Sequence, residues 1–256
     1  MASNIETMST YLDIVDLIPQ LYDEEDTNYP VITPQKMRQL IWQNDAQVRS
    51  QLKNYYGTDL TSTPRVVQPV PKRGYTGSAE LLLTDGTNSI TIADNTAVKT
   101  QIYTLTFSSA SAFDVRSDLT GVQGSGTEGS TFTSNDGYLV VHGDMFSGTF
   151  ATSDVWHIPV YNYEGMLAHL SSLKAATTIL DTIYTEEVPD ASATSTKYNQ
   201  LYNRLIRALQ QGTIFIDKDL TVRNADPIQV DYEIDLYGRD VTNYQDSEWD
   251  PRKVSN

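Results

Sequence analysis

The clearest run of alternating apolar and polar positions lies between Thr33 and Gly57. Met37, Leu40, Ile41, Val48, Leu52 and Tyr55 recur there at the three-and-four spacing of a helix with one apolar face. Thr33 is placed to cap the first free backbone N–H groups. Pro34 sits where its missing N–H costs nothing, and Gly57 suits a left-handed stop. Gln35, Lys36, Arg38, Gln39, Gln43, Gln47, Arg49 and Lys53 are expected to face water. A one-sided stripe needs partners, and the spacing supplies three. A short helix begins at Ser9 or Thr10, runs through Tyr11, Leu12, Val15 and Ile18, and ends at Pro19. Glu164 opens another through Met166, Leu167, Leu170, Leu173, Thr177, Leu180, Ile183 and Tyr184, closed by Val188, Pro189 and Asp190. Ser195 or Thr196 caps the last, with Tyr198, Leu201, Tyr202, Leu205, Ile206 and Leu209 on its stripe and Gly212 beyond it.

The chain between these helices has a different character. Pro64, Pro69 and Pro71, with Thr61, Ser62 and Thr63, read as a stiff extended linker. Short β-type runs follow at 79–83, 89–92, 101–107, 138–141 and 156–161. Tyr103, Leu105 and Phe107 alternate with Thr104 and Thr106, the period of a half-buried strand. Asp85 with Gly86, Asp136 with Gly137 and Ser147 with Gly148 mark turns. The stretch from Gly121 to Gly129 reads as a mobile loop. It lacks the pattern of a phosphate cradle and does not stand between a strand and a helix. The expected fold is α+β: a four-helix bundle, a small β-sandwich or barrel of about six to eight strands inserted into it, and an extended β-prone C-terminal arm. The corresponding segments are 1–64, 65–161, 162–212 and 213–256.

The arm contains β-prone runs at 213–216, 220–222 and 228–234. Tyr232, Ile234 and Leu236 alternate with Asp231, Glu233 and Asp235. It is too polar for a core of its own, so its free edge is expected to seek a partner. Leu220, Val222, Ile228, Val230, Tyr232, Ile234, Leu236 and Trp249 are the candidate interface residues.

Composition narrows the chemistry. A chain of 256 residues exceeds the usual size of one core. It has no apolar run long enough to span a bilayer, and no charged segment leading into an apolar one as in a secretory signal. Zero cysteines exclude disulfides and thiolate chemistry. The net charge of −15 argues against direct nucleic-acid binding. That charge is spread, with −5, −4, −1 and −5 on residues 1–64, 65–160, 161–212 and 213–256, so no basic module is concealed. The acidic loop Asp23, Glu24, Glu25 and Asp26 reads as solvated, since consecutive carboxylates converge poorly on one cation. Asp217 with Asp219, and Asp231 with Glu233 and Asp235, read as a solvated sheet face, with a weak calcium site as the alternative. His142, His157 and His169 belong to no paired ligand motif and read as structural. No serine sits in a nucleophile elbow. No enzyme activity, cofactor or metal is expected. The 16 tyrosines, with Tyr55, Tyr56, Tyr161, Tyr163, Tyr198 and Tyr202 near helix ends, read first as core and rim packing and second as interface.

The order of short helix, long capped helix, β insert, two helices and arm resembles the head–tail connector (adaptor) proteins of long-tailed bacteriophages. Residues 10–18 (TYLDIVDLI), 32–41 (ITPQKMRQLI), 167–183 and 198–209 carry that resemblance. Residues 103–115 (YTLTFSSASAFDV), 121–127 (GVQGSGT) and 146–150 (FSGTF) look like a β module of phage connector and structural proteins. The resemblance implies a virion protein of the neck, at the portal vertex, assembled in the host cytoplasm. It implies a homo-oligomeric ring, a dodecamer, between the portal protein and a tail completion, stopper or tail-tube protein. Genomic DNA would pass through without sequence-specific binding, and no membrane would be involved. A virion decoration or glycan-binding protein, using the β module's loops, is the alternative.

Overall fold

The computed structural model describes residues 6–19, 32–93, 97–182, 191–214, 216, 233–234 and 240–241. The chain divides into two units, Met1–Asp219 and Leu220–Asn256.

Four helices form in the first unit: α1 (Tyr11–Leu17), α2 (Pro34–Tyr56), α3 (Gly165–Thr182) and α4 (Ala191–Gln210). Thr10 precedes α1, and its backbone N–H donates to Asp13 Oδ2 at 2.6 Å, closing the first turn. Thr33 Oγ1 accepts the Lys36 N–H at 3.3 Å, Pro34 opens α2, and Gly57 ends it at φ 82°. The sequence marks α2 as the organising helix; α2 and α3 each touch every other helix, and α3 meets α1 and α4 more extensively than α2 does. Alanines, serines and a threonine between its leucines let neighbours approach from several sides. Ala175, Ala176, Ser171, Ser172 and Thr177 are all buried, and a helix buried nearly all round belongs in the middle. The helical core joins Ile14, Met37, Ile41, Ile179 and Leu180, and it takes in Ile102 from the β region.

The β strands are β1 (Thr61–Val66), β2 (Val70–Pro71), β3 (Glu80–Leu81), β4 (Thr91–Ile92), β5 (Gln101–Phe107), β6 (Ala112–Ser117), β7 (Gly121–Thr127), β8 (Phe132–Thr133), β9 (Leu139–Val141), β10 (Phe146–Ser147) and β11 (Val155–Tyr163). The main sheet runs β1-β11-β5-β6-β7 and is antiparallel throughout, with β2 also paired to β11. Two small ladders, β4-β9-β8 and β3-β10, lie apart from it. β1 meets β4 and β7 meets β8, so the ladders close over one face of the main sheet. Phe107, Phe113, Phe146 and Phe150 fill the space between, with Phe107 and Phe150 stacked at 4.0 Å.

Four expectations are corrected here. Helix α4, expected to be capped by Ser195 or Thr196, already begins at Ala191, so both residues lie inside it and Thr196 Oγ1 donates back to the Ser192 carbonyl at 2.9 Å. The proline-rich stretch after Gly57 is the edge of the main sheet, β1 and β2, and not a free linker. An edge strand needs ladder bonds on one side only, which is where prolines are tolerated. The stretch from Gly121 is strand β7 and not a loop. Its glycines serve a bulge, where the register slips beside Gly124 at φ 109°, and a close approach, since a Cβ on Gly126 would lie 2.5 Å from the Phe113 ring. On α2, Tyr55 is exposed while Arg38 is buried, the reverse of the stripe reading.

In the second unit, β12 (Glu233–Ile234) pairs antiparallel with β13 (Asp240–Val241), Ile234 opposite Asp240. The acidic loop 23–26, the predicted helix ending at 188–190, and most of the arm lie outside the described residues.

Candidate functional site

Of the eight interface residues expected in the arm, Ile234 lies in β12; Leu220, Val222, Ile228, Val230, Tyr232, Leu236 and Trp249 lie outside the described residues. Ile214 and Ile216, from the run at 213–216, are buried in the first unit, where Tyr56 donates to the Ile214 carbonyl at 3.2 Å. The tyrosines near helix ends mostly pack. Tyr161, Tyr198 and Tyr202 donate their hydroxyls to Asp13, the Leu17 carbonyl and Gln51 at 2.8, 2.7 and 2.6 Å.

The polar chemistry concentrates where the helices meet the main sheet. Arg38, on α2, donates to Asp118 Oδ2 at 2.6 Å and to the Thr100 carbonyl at 2.5 Å. Asp118 Oδ1 accepts the Ile102 N–H at 2.8 Å, so one carboxylate ties the helix to the start of β5. Burial pushes the Asp118 carboxyl up, and the Arg38 guanidinium pulls it back down. A second cluster joins Asp45 to the N-terminal segment. Its carboxylate accepts the Met8 N–H at 2.8 Å and the Ser171 hydroxyl at 2.5 Å, and Ser171 Oγ lies 2.9 Å from Ser9 Oγ. Burial raises Asp45 to about 6 against the help of both hydrogen bonds. Arg49 donates to the Tyr163 hydroxyl at 2.6 Å, and burial pushes that phenol up to about 12. These groups hold elements together. The chain Ser9, Ser171, Asp45 has no imidazole in it and is closed to solvent, so it offers no route to a bound substrate.

The histidines are dispersed. His157 Nδ1 lies 3.1 Å from Thr104 Oγ1, and His142 Nδ1 lies 3.5 Å from Thr131 Oγ1. His169 lines a cleft of about 340 Å³ with Asp13, Asp16, Arg65, Tyr161 and Ser172, and burial lowers its pKa. Among the described residues no group of three metal-ligating side chains comes together. A second cleft, of about 350 Å³, opens beside the sheet edge between Pro69, Pro71, Tyr75, Glu80 and Trp156. Tyr75 meets Trp156 edge-on at 5.6 Å, and the buried Trp156 Nε1 has no partner among the described residues. No helix among the described residues is long and apolar enough to cross a membrane.

Sequence reasoning missed Arg38, Asp45 and Asp118 as interior groups. Arg38 stands one residue from Met37 on the apolar stripe, and Asp45 lies beside Ile41 and Val48 on the same face. That spacing was the available signal.

No protein-family model matches the chain, and no curated protein matches it. Among solved structures, two crystal forms of Xanthomonas campestris FlgL are similar to it at a TM-score of 0.28 each. Their identities are 15% and 16%, covering 61% and 60% of this chain and 54% and 53% of FlgL. The chain therefore spans about half the length of the FlgL chain it matches, and a likeness of that size carries no argument about what it does.

Proposed function

We propose that the protein is a non-enzymatic structural component of a bacteriophage virion, a head–tail connector whose copies form a ring at the portal vertex. In this reading the four helices are the connector-type bundle, the β region is its insert, and the second unit is the arm that reaches a portal or tail partner. One observation carries the reading. The helices on either side of the β excursion, α1 and α2 before it and α3 and α4 after it, gather round α3. The excursion leaves and returns on the paired strands β1 and β11. That is the split arrangement the resemblance calls for, with both ends of the insert side by side. The net negative charge, with no basic segment, agrees with a channel through which DNA slides without adhering.

The test is the copy number in purified particles of the phage that encodes the protein, by quantitative mass spectrometry. About a dozen copies per particle supports one ring at one vertex. Hundreds of copies, or none, refutes it. Removing residues 220–256 gives a second arm: the truncated protein should stay folded and fail to join heads to tails.

A decoration or glycan-binding role is the second reading, favoured by the cleft between Tyr75 and Trp156. The Tyr75 ring with Glu80 and Gln68 beside it gives the cleft the apolar surface, acceptors and donor that a sugar ring uses. It requires saccharide binding by the whole protein that Tyr75→Leu and Glu80→Gln both weaken.

A further inference from the structure

Over its middle turns helix α2 is charged on the inside and neutral on the outside. Between Lys36 and Lys53 it carries three charged side chains, Arg38, Asp45 and Arg49, and each is engaged inward. Arg38 reaches Asp118 and the Thr100 carbonyl, Asp45 reaches Met8 and Ser171, and Arg49 reaches Tyr163. The residues exposed over the same turns are Gln39, Trp42, Gln43, Ala46, Gln47 and Ser50, none of them charged. At 100° per residue the six fall on one strip about 17 Å long. Trp42 stands on it 49% exposed.

This is the opposite of what a solvated helix on an acidic protein requires. Water rewards outward charge, and a net charge of −15 keeps copies of the chain apart wherever that charge is displayed. A strip with no carboxylate and a central tryptophan is the place where two copies meet without repulsion. Depletion of charge and enrichment of tryptophan mark the core of a protein interface. Along α2 the charges that flank the strip are Lys36 and Lys53, both exposed and both positive, which suits contact with an acidic neighbour. Glutamine amides donate and accept, so they pair with whatever polar groups a copy presents.

We infer that the outward strip of α2, centred on Trp42, is the self-association face of this protein and that a second copy of the chain occupies it. The inference rests on the ring reading and names the surface that closes the ring. A stable interface buries about 800 Å² on each partner, more than three helical turns supply, so the strip forms the centre of a larger contact.

The test compares the full-length protein with Trp42→Ala and Gln43→Glu by sedimentation velocity and native mass spectrometry, with melting curves as the control for folding. Both positions are exposed, so both variants should keep the parent's circular-dichroism spectrum and, at concentrations where all three are monomeric, its melting temperature. The parent should assemble into a closed ring. Trp42→Ala should raise the dissociation constant of assembly at least about 30-fold. Gln43→Glu should weaken assembly and regain part of it in added salt. If both variants form rings as readily as the parent, the strip is not the contact, while the ring reading stands. A parent dimer that Trp42→Ala dissociates keeps the strip and overturns the ring. A parent that stays monomeric at the highest concentrations overturns both.

Discussion

Asp45 makes the internal polar network measurable. Its carboxylate is 2% exposed, it accepts two hydrogen bonds, and its pKa stands at about 6 against an ordinary 3.8. The folded state therefore holds a proton there more tightly than the unfolded chain does. Stability from this group is fully present below 3.8 and is lost as pH rises through about 6. The whole interval is worth about 3 kcal/mol at 1.36 kcal/mol per unit, and the part between pH 7.5 and pH 5 is about 1.3 kcal/mol. Asp45→Asn keeps the shape and cannot titrate. Its Oδ1 still accepts the Met8 N–H, and its amide donates to Ser171 Oγ, which then donates to Ser9. Guanidinium unfolding of both proteins at pH 7.5 and pH 5 isolates the effect. Asp118 and Asp13, also pushed up by burial, and His169, pushed down, act equally in parent and variant. The variant should gain on the parent by about 1.3 kcal/mol more at pH 7.5 than at pH 5. A difference that does not change with pH, or that changes in the opposite sense, refutes the claim that Asp45 is held in a site that disfavours its charge.

Three further substitutions probe the joints of the fold. Arg38→Ala strands a buried Asp118 and the Thr100 carbonyl, and should cost about 3–5 kcal/mol in the same unfolding assay. Arg38→Met with Asp118→Asn should cost clearly less than Arg38→Ala alone, because no buried charge is left behind. Tyr161→Phe removes one of the donors to Asp13 and should cost about 1–3 kcal/mol, with the helices otherwise intact by circular dichroism. Gly126→Val drives a side chain into the Phe113 ring, and should lower the melting temperature by an overpacking cost of about 1–3 kcal/mol.

Helices α1 and α2 were legible because each carries its own punctuation, whereas the start of α4 was misplaced by about one turn. Thr33, Pro34 and Gly57 set the ends of α2 within the residues that sequence reasoning assigned, and Thr10 does the same for α1. Strand β5 was legible for the same kind of reason, since its alternation is strict over 103–107. β1, β2 and β7 were not, because their residues are poor strand formers whose placement is decided from outside. β1 and β2 are held by the Tyr163 to Trp156 edge of β11, and β7 by the need for glycine against Phe113. Propensity reports what a segment prefers alone, and these segments are ordered by neighbours distant in sequence. The primacy of α3 was hidden likewise, because alanine and serine are silent in a stripe count and decisive in packing.

The charges on α2 show why a site can be invisible to pattern reasoning even when its helix is obvious. A helical wheel assigns Arg38 and Arg49 to water because arginine is polar, and it has no means of knowing that Asp118 and Tyr163 wait on the other side. Once those partners are in place, the same wheel yields a second result. Between Lys36 and Lys53 the charged residues are accounted for inside, the outer face consists of amides, small residues and Trp42, and nothing among the described residues requires that face to be so plain. Folding explains the inward charges, since they join α2 to the N-terminal segment, to β11 and to the start of β5. It does not explain the outward neutrality, because glutamate or lysine at 39, 43 or 47 would serve the helix as well as glutamine does. A feature that folding leaves free and that an acidic surface would ordinarily fill with charge is the mark of a constraint from outside the chain, and a neighbouring copy supplies one.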